Sequence, residues 1–422
     1  MAPFFKAIEH VIPGQHIREY PNGTKQRQED VLQLSIKQYI PLNSPNPPPE
    51  NSITIIGVHG NGFPKETYEP LWNDLYLNLQ SRNVHIRSIW MADCSNQGAS
   101  GVLNEHVQGD DPSWFDHSRD LLQMINHFRS EMPRPIVGVA HSMGCAQLIN
   151  LSIIHPRLLS TLVLYEPIII NVRARNGEPN PASMSTRRRD LWDSREKAES
   201  YFRKAFHAWD PRVVELFLKY GLRATPTALY DETQKIPAGA VTLTTSKHQE
   251  SWTYIQYNFE PKEAGLDRLL LPDWDKDLEI PMLYTRVECS ITMRNLPYLR
   301  PSVLYVFGAK SPFSSTAAQD EKVALTGSGV GGSGGEAEGK VQKVVFPEAG
   351  HLLVFENVQE SARASAEWID RWFQQWLVDE RFYKGYESKK SDKDMLRVSK
   401  AWVATTKSSN LTPRPSLIKE KL

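Results

Sequence analysis

Cysteine is scarce in this chain: Cys94, Cys145 and Cys289 are the three among 422 residues. An odd number at wide spacing makes neither a disulfide framework nor a metal-ligand pattern. The fold must therefore rest on an ordinary hydrophobic core, and the sequence implies no metal and no other cofactor. Net charge is missing too, since 49 basic residues balance 49 acidic ones. Phosphate binding needs a basic stripe, so no nucleic-acid partner is expected. No stretch approaches the roughly 18 consecutive apolar residues of a membrane span, and no transmembrane segment is expected either. Lys6, Glu9 and His10 interrupt the apolar start, which is not the pattern of a secretory leader. Oligomeric state leaves no mark.

What the chain does have is a globular balance, 40% hydrophobic and 23% charged, arranged in a rhythm. Short apolar runs fall at 53–58, 84–90, 136–140, 161–165 and 302–307, with a weaker one at 341–346. Runs of that length bounded by turn residues suit a parallel sheet covered on both faces. Helical patterns lie between them, at Tyr68 to Leu79, Trp114 to Phe128 and Cys145 to His155. The alternation predicts an α/β fold with a mostly parallel, doubly wound sheet. Residues 15–20 and 31–40 alternate apolar with polar and read as half-buried edge strands.

Residues 171–297 break the rhythm: they are rich in Trp, Tyr, Arg and helical patterns and hold no comparable strand run. They read as an inserted, mostly helical cap on a core made of 1–170 and 298–385. Residues 327–339 read as a flexible glycine-rich loop, and no Gly-Lys-Ser/Thr ends it as a phosphate loop would require. Trp368, Trp372, Phe373 and Trp376 share one side of a long helical pattern and are expected to pack on the sheet. Residues 386–422 form a polar, net basic tail.

The chemistry gathers around Ser142. A serine hydroxyl is a poor nucleophile at neutral pH and must be held in the open beside a base. In Ala140-His141-Ser142-Met143-Gly144 it lies between a buried strand and a helix, with small residues two positions to either side, as a sharp strand-to-helix turn demands. The charge that develops on a substrate carbonyl needs backbone donors. His59-Gly60-Asn61-Gly62 follows the strand at 53–58, and the donors are assigned to the N–H of Asn61, with Gly62 as alternative, and of Met143. His59 itself reads as structural. The base is expected late, just after the last strand, where Gly350-His351-Leu352 stands. His141, His155, His207 and His248 are poorer placed. For the acid, the usual site after the strand at 302–307 holds Ser311 instead of a carboxylate. Glu166, at the end of the strand at 161–165, is better placed than Asp320, the alternative being that Glu166 only caps a neighbouring helix.

These segments, His59 to Glu66, Ala140 to Gly144, Leu164-Tyr165-Glu166-Pro167, Phe307 to Ser311 and Gly350 to Leu352, resemble the fungal branch of the α/β-hydrolase superfamily that includes a yeast peroxisomal lipase and the peroxisomal hydrolases of host-selective toxin biosynthesis. The resemblance covers most of residues 10–360. It implies the α/β-hydrolase fold, lipase or esterase activity extending to acyl intermediates, and a peroxisomal address. At the terminus, Glu420 replaces the small residue of the Ser-Lys-Leu signal, while Lys421 and Leu422 keep its other two positions for an import receptor. The cytoplasm is the alternative location.

The expected function is thus hydrolysis of a carboxylic ester or thioester of a small-molecule acyl substrate through an acyl-enzyme. Acyl transfer or cyclisation in a fungal secondary-metabolite pathway, or ligand binding without catalysis, are the alternatives. Epoxide or haloalkane opening would need an aspartate at Ser142. Arg187-Arg188-Arg189 is read as a solvated helix face or as a partner for an anionic substrate such as an acyl-CoA, and Trp192, Trp209 and Trp252 suggest an apolar acyl group.

Overall fold

The computed structural model describes residues 4–45, 47–170, 181–256 and 286–408. The chain divides into two compact units, Met1–Trp376 and Leu377–Leu422. Eleven strands follow in chain order: β1 (Phe5–Pro13), β2 (Gln33–Pro41), β3 (Ile53–Val58), β4 (Ile86–Ala92), β5 (Ile136–His141), β6 (Thr161–Tyr165), β7 (Leu191–Trp192), β8 (Leu222–Ala224), β9 (Val241–Leu243), β10 (Ser302–Gly308) and β11 (Val341–Phe346).

Eight of them form one sheet in the order β1-β2-β4-β3-β5-β6-β10-β11. From β4 to β11 every neighbour is parallel, and β1 and β2 add antiparallel pairings at one edge. The continuous apolar runs become central strands: β3, β5, β6 and β10 are buried at every residue. The weaker pattern of β11 belongs to a partly exposed edge. Helix Trp114–His127 lays an amphipathic face on the sheet. Helix Met143–Ile154 is apolar on almost all sides and correspondingly buried. Ile56, Leu148, Leu164 and Phe307 meet between them in the main core, each such side chain stabilising the fold by about 1.5–3 kcal/mol.

Residues 15–20 are not a strand, and the outer edge is β1 instead. The alternation there had another cause: the polar groups face inward to the carboxylates of helix Trp114–His127. Arg18 Nη1 pairs with Asp120 Oδ2 at 2.9 Å, and the N–H groups of Gln15 and Glu19 donate to Asp120 and Asp116 at 2.8 and 3.1 Å. A backbone spent on side-chain carboxylates has none left for a ladder.

Between β6 and β10 the described residues form helices Pro181–Arg187, Arg195–Ala205, Pro211–Tyr220, Lys247–Tyr254 and Val287–Asn295, with a small antiparallel sheet ordered β7-β9-β8. These strands of two or three residues are too short to show in a sequence pattern. Trp192 is buried in the centre of this region against Phe202 and Tyr201. The glycine-rich segment is tied down by backbone bonds: Gly327 N donates to Leu296 O, Gly329 N to Pro297 O and Ser333 N to Leu299 O, at 2.8, 2.8 and 2.9 Å. In helix Val358–Gly385, Trp368 and Phe373 are buried, and Trp368 Nε1 donates to Thr161 Oγ1 at 2.8 Å.

The second unit holds the end of that helix and the short helices Asp392–Met395 and Lys400–Ser408. The terminal Lys421 and Leu422 lie outside the described residues. No described helix is long and apolar enough to cross a membrane.

Candidate active site

Strand β5 delivers Ser142 at a backbone turn with φ 57° and ψ −119°. A non-glycine residue held there stores strain, which persists only where the surroundings over-determine it. Here they do: Ser142 N donates to Tyr165 O at 2.9 Å and Cys145 N donates to Ser142 O at 3.2 Å. Gly144 packs so closely that a Cβ would come within 2.8 Å of the carbonyl oxygens of Val58 and His59.

The structure brings Ser142, His351 and Glu166 together. His351 Nε2 lies 2.9 Å from Ser142 Oγ and its Nδ1 lies 3.1 Å from Glu166 Oε2. With Nδ1–H donating to the carboxylate, Nε2 is left as the acceptor for the Ser142 hydroxyl. Glu166 follows β6 at φ 47° and is 1% exposed. Its charge is met by hydrogen bonds, as a buried carboxylate requires. Gly308 N–H donates to Oε1 at 2.7 Å and Ser311 Oγ–H to Oε2 at 2.5 Å. Ser311 therefore stands where a carboxylate was looked for and serves as a donor to one. Asp320 is exposed on helix Thr316–Leu325 and paired with Lys343. His155 and His207 are exposed and His248 sits on helix Lys247–Tyr254, none of them beside Ser142.

Asn61 lies in the loop after β3, and Met143 opens the helix that follows the serine. Neither backbone N–H has an acceptor among the described residues, whereas the Gly62 N–H is spent on Gln97 Oε1 at 2.8 Å. The loop carrying Asn61 is braced throughout. His59 Nδ1 donates to Gly60 O at 2.8 Å while its Nε2 accepts from Cys94 N–H at 2.9 Å. Burial pushes its pKa down, in keeping with that neutral role. Lys65 binds Asp93 Oδ2 through Nζ at 2.6 Å and Oδ1 through its backbone N–H at 3.0 Å.

The region between β6 and β10 packs onto this end of the sheet. Glu250 O accepts from Asn61 Nδ2 at 2.9 Å, and Asp210 N–H donates to Phe355 O at 2.8 Å. Trp209 meets Phe63 and Phe355 at ring distances of 5.7 and 4.9 Å. The arginine run divides in its roles: Arg188 pairs with the buried Glu250 at 2.5 Å, and Arg189 Nε donates to Leu191 O at 2.8 Å beside the Trp192 ring.

Two side chains of the site escaped the sequence. His141, set aside there as poorer placed for the base, links both sides of the site. Its Nε2 donates to the His351 carbonyl at 3.1 Å and its Nδ1 accepts from Tyr68 Oη–H at 2.9 Å. Tyr68 Oη in turn accepts from Gly60 N–H at 2.8 Å. Burial, then the facing His351, push the His141 pKa down to about 3, so this imidazole stays neutral. Tyr68 lies 73 positions from His141 in sequence, beyond any local pattern. Among the described residues no cluster of three or more His, Cys, Asp or Glu could hold a metal ion.

An eight-stranded, largely parallel sheet with a strained serine elbow, a carboxylate after the next strand and a histidine after the edge strand two places further on, defines a hydrolase of the α/β class. The chain belongs to the alpha/beta hydrolase family, whose model matches residues 55–364. It is 39% identical to a type I acyl-CoA thioesterase of Penicillium brevicompactum over 96% of this chain and 95% of that protein. A type I acyl-CoA thioesterase of Penicillium roqueforti is also 39% identical, over 98% and 96% of the two chains. An abhydrolase domain-containing protein of Alternaria alternata is 30% identical over 57% of this chain and 85% of its own. Among solved structures, the peroxisomal alpha-beta-hydrolase Lpx1 of Saccharomyces cerevisiae superposes with a TM-score of 0.68 at 16% identity, covering 96% of each chain. That likeness concerns the fold.

Proposed function

We propose that this hydrolase cleaves acyl-CoA thioesters through an acyl-enzyme on Ser142. The observation that carries the reading is the hydrogen-bonded line Glu166–His351–Ser142, in a chain matched almost end to end by acyl-CoA thioesterases. Ser142 Oγ attacks the thioester carbonyl as His351 Nε2 takes its proton. The oxyanion forms against the N–H groups of Asn61 and Met143, and Glu166 stabilises the imidazolium. Collapse breaks the C–S bond, with His351 returning the proton to the thiolate. Water, deprotonated by His351, then attacks the acyl-enzyme and releases the acid. No step calls on a cofactor.

A fluorophosphonate probe should label the wild-type protein and not Ser142→Ala, and free thiol should appear from acyl-CoA with equimolar acid. Labelling of both proteins alike would defeat the nucleophile assignment. Release of thiol without free acid, in the presence of an alcohol or amine, would move the reading to acyl transfer. An oxygen-ester series of matched chain length tests the preference for thioesters. For location, the resemblance and Lys421-Leu422 support the peroxisome. A fluorescent fusion at the N-terminus should collect in that organelle and lose the pattern when the last three residues are removed.

A further inference from the structure

A cavity of about 10 Å3 lies beside the first turns of the nucleophile helix, with Arg18, Gln97, Gln108, His117, Met143 and Gln147 in its wall. It has room for one water-sized group. Four of these side chains carry buried polar atoms with no protein partner among the described residues: Arg18 Nη2, Gln108 Oε1, Gln147 Oε1 and both ring nitrogens of His117. The residues are 7, 9, 1 and 2% exposed in that order. Native proteins rarely leave such atoms unmet, and here the four residues that carry them all line one small space.

The orientation of the set is pinned from outside. Gln108 Nε2 donates to Gly23 O at 3.1 Å, and Gln147 Nε2 to Cys94 Sγ at 3.7 Å, which fixes their Oε1 atoms as acceptors. Arg18 spends Nη1 on Asp120 at 2.9 Å, so its charge is already balanced and the site does not call for an anion. Burial holds His117 neutral, and a neutral imidazole offers one donor and one acceptor. The two ring nitrogens point apart, so one of them faces a given oxygen; such an oxygen can donate to the Oε1 atoms of Gln108 and Gln147 and accept from Arg18 Nη2 and a His117 N–H, which suits a group that both donates and accepts. A carboxylate lacks the proton, and an alkyl chain satisfies neither.

We propose that this cavity binds one neutral hydroxyl-type oxygen, supplied by water or by a hydroxyl of the acyl group, and that this oxygen braces the oxyanion donors. Met143 is itself a wall of the cavity. Gln97, another wall, donates to Asn61 Oδ1 at 2.7 Å and accepts from Gly62 N–H at 2.8 Å. The bracing clause rests on the serine-hydrolase reading; the binding site does not.

The test is a crystal structure of the full-length protein at a resolution that shows water, alone and, as Ser142→Ala, soaked with a non-hydrolysable amide analogue of a hydroxyacyl-CoA. An isolated oxygen peak within hydrogen-bonding distance of Gln147 Oε1 and His117, unchanged by the soak, is the expected result and identifies water. Replacement of that peak by the ligand hydroxyl identifies the acyl group as the source. A cavity with no peak in either crystal overturns the proposal. Gln147→Met keeps the volume and removes an acceptor. It should lower kcat about tenfold with KM unchanged, less than the 10²–10³ that follows loss of an oxyanion donor itself. Unchanged kcat would refute the bracing. If the variant fails to fold, the wild-type crystal still decides. A peak in a protein that hydrolyses no acyl-CoA would leave the site standing and remove only the proposed activity.

Discussion

Ser311→Ala probes the site where sequence and geometry part company. The hydroxyl removed donates to Glu166 Oε2 at 2.5 Å, the oxygen that also accepts from His351 Nδ1 at 3.1 Å. Glu166 is 1% exposed while Ser311 is partly exposed, so water entering at position 311 offsets part of the loss. A hydrogen bond to a charged group contributes about 1.5–3 kcal/mol. The N–H of Gly308 still holds the other oxygen at 2.7 Å, which keeps the carboxylate in place and argues for the lower end. About 1.4 kcal/mol corresponds to a tenfold rate change.

The expected result is a fall in kcat of about tenfold with little change in KM, because Ser311 acts on the acid and not on the acyl group. Ser311→Thr, which keeps the hydroxyl, should restore most of the rate. Steady-state kinetics on a short acyl-CoA, followed by thiol release, gives both constants, and thermal melts show that each variant is folded. Wild-type kcat in Ser311→Ala, or an equal loss in Ser311→Thr, would refute the reasoning.

Other changes test the supporting network. Tyr68→Phe leaves Gly60 N–H and His141 Nδ1 without their shared partner. Each buried orphan costs about 1–3 kcal/mol, so the denaturant midpoint should fall clearly and kcat should fall with it. Gly144→Val drives side-chain carbon toward the carbonyls of Val58 and His59, 2.8 Å from the Cβ position, and should give insoluble or unlabelled protein in a fluorophosphonate assay. Acid should unfold the protein partly through its buried histidines. His59, His117 and His141 all have lowered pKa values in the folded state, His141 at about 3 against an ordinary 6.5. The unfolded chain binds their protons first, so this stabilisation is whole above pH 6.5 and is lost as pH falls toward 3. The buried Asp111 and Asp116, pushed up to about 6, act in the opposite sense and lose stability as pH rises through that value. His141→Gln isolates one term. Its stability should decline less steeply than wild type between pH 6.5 and 3, by about 1.4 kcal/mol per pH unit at most.

How far the sequence could be read follows from the range of each interaction. The central strands were legible because a strand buried on both faces must be apolar throughout, which is a local property. So were the elbow and the late histidine segment, each compact in sequence. Residues 15–20 misled because alternation records which side chains face inward and not what the backbone bonds to. Buried Arg18 counts as polar in the pattern, yet it points to Asp120. β7, β8 and β9 are two or three residues long and exist only through one another. The Tyr68–His141–His351 chain joins three distant segments by single atoms, and no periodicity encodes that.

The position proposed for the acid has a geometric basis that can be tested by moving it back. β6 and β10 are parallel neighbours, with Tyr165 opposite Val306, so their ends open side by side. His351 follows β11, which pairs with β10, Gly308 lying opposite Phe346. A carboxylate after β10 therefore stands one strand nearer the base than one after β6, and the farther position carries a glutamate, longer by one methylene than an aspartate. Since Ser311 Oγ already shares Oε2 of Glu166 with His351 Nδ1, a carboxylate at that position falls within reach of the ring. Glu166→Gln should lower kcat by about 10³–10⁴, as loss of the orienting acid does in serine hydrolases. Adding Ser311→Asp to it should recover at least about tenfold. Ser311→Asp alone should impair the enzyme, because two carboxylates at contact distance in a buried site cannot both ionise. The sign of the Ser311→Asp effect should thus reverse with the residue at position 166. If the double variant is no faster than Glu166→Gln, the two strand ends are not interchangeable, and the glutamate serves something other than reach.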